Sequence, residues 1–147
     1  MRLASIGFHE THRAMPAHRD PHVELHYLLE GVGVFTFGAQ RARVLPGHFF
    51  HTLPEETHCI APAQGACWVR QYVLHLDLFP SDAALDVLLR GPLLKRRFLQ
   101  VGTRRRWFFE SLRRKTSSPH PNLRASAEHE LAAFLHVVRA AEWIAVD

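Results

Sequence analysis

The spacing of apolar residues changes character at Phe79-Pro80, and that change limits the chain to a β-rich unit followed by helices. Before it, runs rich in aliphatic, β-branched and aromatic side chains are short: Leu3 to Phe8, Val23 to Leu29, Val32 to Phe37, Ala42 to Leu45, His48 to Leu53 and Cys67 to Leu78. Turn formers separate them at Glu30-Gly31, Gly38-Ala39, Pro46-Gly47 and Pro62 to Gly65. Closely spaced strands with such turns point to an antiparallel barrel or sandwich. After Pro80 the period becomes helical. Ser81 opens a helix to about Arg90, Thr103 can cap one to about Lys115, and Ser117 to Asn122 reads as a loop before a helix beginning near Leu123. In that last helix Leu131, Phe134, Leu135, Val138 and Ala141 fall on one apolar stripe. The organisation expected is a barrel over residues 1–80 and a helical segment over 81–147.

With 147 residues and 47% apolar content the chain suits one domain with a sizeable core. It holds no apolar run near the roughly 20 residues a membrane span requires, and MRLASIGFHE lacks the apolar centre of a signal peptide. Cys59 and Cys67 form neither a CxxC pair nor a disulfide framework, so both read as reduced thiols, and a cytoplasmic location is expected. Charge and histidine are unevenly spread. Residues 1–80 carry six Arg, seven acids and nine of the twelve His, whereas Arg90 to Lys115 carries ten basic residues and one acid, Glu110.

The histidines concentrate in HRDPHVELHYLLEG, where His18, Asp20, His22, Glu24 and His26 occupy every second position. In an extended strand such residues share a face, so this stretch could line one wall with metal-capable groups. The pattern His18-x-Asp20-x-x-x-Glu24, then six residues, then Gly31, resembles the first cupin motif, with Asp20 where a second His is usual. Gly47 to His58 keeps the eleven-position separation of the second motif, although Leu53 and Glu55 stand where that motif has Pro and Gly.

A narrower resemblance runs through ELHYLLEGVGVF, VLPGHFFHTLPEETHCI and YVLHLDLFP, with helices behind them. Together these segments resemble the N-terminal effector-binding domain of AraC-type transcriptional regulators. The resemblance implies a mainly β fold, a cupin barrel (double-stranded β-helix or jelly roll) followed by C-terminal α-helices. It also implies a small-molecule effector in the barrel, homodimerisation through a helical pair, and DNA contact through helix-turn-helix units that this chain does not include. The expectation is therefore the sensory half of a regulator, either a piece of a longer protein or a stand-alone derivative.

His18 and His58 with Glu24, and Asp20 as a fourth donor, make a mixed N/O set suited to one divalent transition metal, Zn, Ni, Mn or Fe. The same residues could instead hydrogen-bond an effector without metal. His22 falls in the turn after Pro21, and His26 reads as a supporting or effector-contacting residue. Other pocket candidates are His51, which lies on the opposite strand face from His48, and the row Trp68, Arg70 and Tyr72, whose alternate row is Gln71, Val73 and His75. The competing function is a stand-alone metal-dependent cupin enzyme of dioxygenase, isomerase or epimerase type. No further catalytic motif supports it, so binding without turnover is favoured.

Lys95, Arg96, Arg97, Arg104, Arg105, Arg106, Arg113, Arg114 and Lys115 could form a positive face, but without a helix-turn-helix pattern they read as helix surface engaged in packing. The stripe Leu131, Phe134, Leu135 and Val138 is the candidate dimer contact, because a small barrel offers limited surface for two apolar helices.

Overall fold

The runs before Pro80 form strands in the computed structural model, which describes residues 1–91, 97–138 and 142–143. In chain order they are β1 (Arg2–Thr11), β2 (Val23–Gly31), β3 (Gly33–Phe37), β4 (Gln40–Val44), β5 (His48–Thr52), β6 (His58–Pro62) and β7 (Val69–Asp77). A 3-10 turn at Pro80–Asp82 leads into helix α1 (Ala83–Arg90); then follow β8 (Leu99–Gln100), a second 3-10 turn, α2 (Arg106–Thr116), α3 (Pro121–Val138) and β9 (Glu142–Trp143). One antiparallel sheet has the order β1-β7-β2-β5-β8-β9 and the other β4-β3-β6. The protein is thus mainly β, with two antiparallel sheets followed by C-terminal helices.

Two features differ from the sequence reading. His58 to Pro62 is a strand, although its five residues end in proline. It pairs with β3 at the edge of the small sheet, where a missing N–H is tolerated. Short β8 and β9 arise in the region expected to be helical, and β8 pairs with β5 through Phe49 and His48. The sheet therefore continues past Pro80, and the change of period there is not a break in the core.

Both motif glycines are demanded by backbone geometry. Gly31 and Gly47 have φ of 87° and 88°, and a Cβ on Gly31 would meet the Trp68 carbonyl oxygen at 2.2 Å. Glu55, at the position where the resembled motif has glycine, sits at φ 64°, and its N–H donates to the Asp20 carbonyl at 2.8 Å.

Side-chain alternation divides the core in two. Leu28, Phe35, Phe50, Ile60 and Phe98 pack between the sheets. Leu25, Tyr27, Phe49, Leu74 and Leu76 lie on the other face of the large sheet and pack with helix residues Leu89, Phe109, Leu112, Leu131 and Leu135. Tyr27 stacks on Phe109 at 4.5 Å between ring centres, and its hydroxyl donates to the Gly102 carbonyl at 2.9 Å.

The candidate dimer stripe is spent in this layer. Leu131 and Leu135 are fully buried, Phe134 is 7% exposed and Val138 3%, all within the chain's own core. Ala141 lies outside the described residues. The apolar residues that α2 and α3 leave to solvent are different ones, including Trp107, 70% exposed. The basic run is likewise largely engaged within the chain. Arg97 is buried, pairs with Glu56 at 2.7 Å and covers the Phe37 ring, while Arg106 approaches Glu30, Arg113 pairs with Glu110 and Lys115 with Glu130. Lys95 and Arg96 lie outside the described residues.

Candidate metal and effector site

Residues forty positions apart meet because the segment before β2 docks on the start of β6. The His18 and His58 backbones exchange two hydrogen bonds of 3.0 Å, and their rings stand edge-on at 4.4 Å. β2 then supplies Glu24 and His26 on its inner face, while β7 lies alongside with His75 directly opposite Glu24. Glu24 is the hub. Its Oε2 lies 2.5 Å from His58 Nε2 and 3.5 Å from His26 Nε2, and its Oε1 accepts from His75 Nε2 at 2.9 Å.

Burial alone would push the Glu24 carboxyl upward, but the imidazoles of His26, His58 and His75 overcome this and hold it far below the usual carboxylate range. The carboxylate acts back on its neighbours unequally. His75 is raised chiefly by its hydrogen bond to Glu24, and His58 is raised because Glu24 outweighs the effect of burial. His26 is lowered, since complete burial dominates there.

The donor set fits a metal ion. His58 Nδ1 donates to the Glu56 carbonyl at 2.8 Å and His18 Nδ1 to the Pro16 carbonyl at 3.1 Å, which leaves each Nε2 lone pair for another partner. His58 Nε2 is buried and, although close to Glu24, has no aligned hydrogen bond. The donor atoms of His18, Glu24 and His58 lie within 4.8 Å of one another. Two donors on one ion, each roughly 2.1 Å from it, stand about 3 to 4 Å apart, so modest side-chain rotation would seat a divalent ion. Asp20 does not join this set. Its Oδ1 accepts from the His22 N–H and Nδ1 at 2.8 and 2.7 Å, and its donor atom groups instead with Glu24 and His75.

These groups open on a cavity of about 190 Å³, further lined by His9, Met15, Phe35, Ile60, Gln71 and Val73. At roughly 30 Å³ per water this holds about six waters, room for a small ligand. Of the other sequence candidates, His26 lines the cavity, and Gln71 Oε1 approaches its Nδ1 at 3.3 Å. His51 faces the helices, where its Nε2 donates to the Leu89 carbonyl at 3.1 Å and burial, aided by Arg97, pushes it down to about 3.

Trp68, Arg70 and Tyr72 do not line the cavity. Arg70 lies 4.2 Å over the Trp68 ring and pairs with Glu10 and Glu30, and Tyr72 donates to Glu110 at 2.9 Å beneath α2. The cavity takes the alternate row of β7, Gln71, Val73 and His75. One signal could have chosen between the rows: Tyr72, Leu74 and Leu76 form the apolar series that a helix layer covers, which turns Gln71 and His75 toward Glu24.

Two antiparallel sheets enclosing a histidine–carboxylate cluster make this a β-sandwich with a candidate binding cavity between its sheets. More narrowly, the chain belongs to the AraC-like ligand binding domain family, whose model matches residues 3–136. Solved structures similar to it include apo-HppE, at 16% identity and TM-score 0.44 over 48% of this chain and 40% of that one. An oxalate decarboxylase matches at 12% identity and TM-score 0.43, over 50% of this chain and 21% of that one. A cupin superfamily protein from Desulfitobacterium hafniense matches at 15% and 0.43, over 52% and 71%. The match thus spans less than half the length of the first two structures. No curated protein matches the chain. No described helix is long and apolar enough to cross a membrane.

Proposed function

We propose that this chain is the effector-sensing part of an AraC-type transcriptional regulator, binding a small molecule over one divalent metal held by His18, Glu24 and His58. The observation that carries this reading is the convergence of those donors on a small mixed polar and apolar cavity in a member of a ligand-binding family. A bound ion would supply a fixed positive centre for a carboxylate or carbonyl oxygen of the effector. The chain's own residues do the rest: Gln71 and His26 offer directional polar groups, Phe35, Ile60 and Val73 an apolar wall, and His58 and His18 keep their Nε2 atoms turned inward.

The same strands offer a route for the signal. Glu24 and His26 alternate on β2 with Leu25 and Tyr27, which pack on the helix layer, so a ligand that shifts β2 is felt at Phe109. Homodimerisation remains part of this reading, through helix surface such as exposed Trp107 in place of the buried stripe. The enzyme reading draws on one observation, a metal-fitting set facing a cavity. Both are tested by screening small acids and sugars against metal-loaded protein by thermal shift. A sensor gains melting temperature with a ligand that is recovered unchanged, and the gain is lost in His58→Ala. Turnover of that ligand, abolished in His18→Ala or Glu24→Ala, would replace the sensor with an enzyme.

A further inference from the structure

The contacts around Glu24 use its two oxygens in different directions. Oε2 faces His58 and the Thr52 hydroxyl, whereas Oε1 faces His75. His75 lies outside both cupin motifs, yet sheet register aims it at the site: Ser5, His75, Glu24 and Thr52 occupy one row across β1, β7, β2 and β5. Asp20 reaches the same side from the loop before β2. We propose that Asp20, Glu24 and His75 hold a second divalent cation, with Glu24 bridging it to the ion assigned to His18 and His58. The inference rests on that first assignment.

Three observations support it. The donor atoms of Asp20, Glu24 and His75 lie within 4.8 Å of one another, and this set shares only Glu24 with the first. Each donor other than Glu24 is held from behind. His75 Nδ1 pairs with Ser5 Oγ at 2.9 Å, and the Asp20 carboxylate is oriented by two hydrogen bonds from His22 to its Oδ1. The remaining Asp20 oxygen, Oδ2, stands 3.7 Å from His75 Nε2. That is too long for a hydrogen bond and close to the separation of two donors on one ion. Two carboxylates and one imidazole around a common point form a hard, mixed O/N set suited to Zn, Mn or Fe(II). A carboxylate that bridges through separate oxygens is the arrangement found where two ions stand roughly 3.5 to 4 Å apart.

The test is equilibrium dialysis of the full chain against Zn²⁺ alone, with bound metal counted by mass spectrometry in wild type, His75→Ala, Asp20→Asn and His58→Ala. The expected result is about two ions in wild type and about one in each variant. Mn²⁺ in place of Zn²⁺ should give a spin-coupled signal in wild type and an isolated six-line signal in His75→Ala. Circular dichroism establishes that each variant folds, and the partly exposed Asp20→Asn serves if His75→Ala does not. One ion in wild type, lost in His58→Ala and retained in His75→Ala, would overturn the second site while leaving the first. Loss of every ion in His75→Ala would mean a single shared centre, and no ion in wild type would defeat both assignments.

Discussion

β2 and β7 present two faces made from different chemistry. Inward, Glu24, His26, Gln71 and His75 converge on the cavity; outward, Leu25, Tyr27, Tyr72, Leu74 and Leu76 disappear under the helices. The inner face is polar, has a solvent opening at exposed His18, and leaves buried imidazole nitrogens of His26 and His58 without aligned partners. The outer face is dry, and its Tyr27 hydroxyl is bonded both to Gly102 and from the Arg105 N–H. One pair of strands thus separates the candidate site from the packed helix layer by parity alone. Unmet polar groups are concentrated where a ligand can satisfy them, and the energy that holds the fold lies one residue away.

The largest effect expected from this division is on the outer face. Leu135→Asp buries an unpaired charge against the sheet and should cost about 3 to 5 kcal/mol, measured by urea unfolding. Trp107→Ser, on exposed α2 surface, should stay within about 0.5 kcal/mol. A folded Leu135→Asp variant of near-native stability would break the comparison by showing that the stripe is not core.

On the inner face the order reverses. Glu24→Gln should weaken Zn²⁺ binding by more than the roughly 10- to 100-fold that loss of a supporting partner costs, while the chain still folds cooperatively. Calorimetric titration checks the affinity and circular dichroism the fold. Metal affinity in wild type should also fall as pH drops through the histidine range, because protons compete at His58 and His75, both raised by Glu24.

A smaller effect separates His51 from the site histidines. Its folded pKa, pushed down to about 3, lies below that of the unfolded chain, so the unfolded state takes up a proton that the folded state refuses. That contribution to stability is present above about pH 6.5 and is lost as pH falls toward 3, at up to about 1.4 kcal/mol per pH unit. Between pH 6.5 and 5, above the carboxylate range, His51→Gln should flatten the wild-type slope in urea melts. An unchanged slope would mean that His51 is solvated.

The smallest effect concerns the loop carrying His58. Glu55 at φ 64° should accept Glu55→Gly with a change within about 0.5 kcal/mol, whereas Glu55→Val should cost about 1 to 2 kcal/mol in thermal melts. Equal tolerance of both would show that the left-handed turn is not required.

Much of this was legible in the sequence, and the failures share a cause. Six of the strands before Pro80 and the three described helices follow from local runs and caps, and the spacing His18, Glu24, Gly31, Gly47 and His58 picks out three side chains whose donor atoms lie within 4.8 Å of one another. Parity and neighbours were not local. Whether Tyr72 or His75 faces inward depends on a helix layer whose contacts with Tyr72, made by Phe109 and Glu110, lie more than thirty residues away. Asp20 stands apart from His18 and His58 because its carboxylate, tied to His22, lies on the His75 side of Glu24. The stripe of α3 was read correctly as apolar, but sequence cannot tell a chain's own sheet from a partner, and the outer face of β2, β5 and β7 had the area to take it. Pro62 concealed β6 because proline marks turns more often than strand edges.

Histidine ring nitrogens give the most direct view of whether the inner face is the binding face. Long-range ¹H–¹⁵N spectra of uniformly labelled protein, titrated with Zn²⁺, report each Nε2 and Nδ1 separately. His18 and His58 should begin with the proton on Nδ1, and their Nε2 signals should move together as zinc is added. His51, bonded to Leu89 under the helices, should keep its proton on Nε2 and not shift. A His58 Nε2 signal that ignores zinc, or a His51 signal that responds to it, would contradict the assignment of the metal to the inner face.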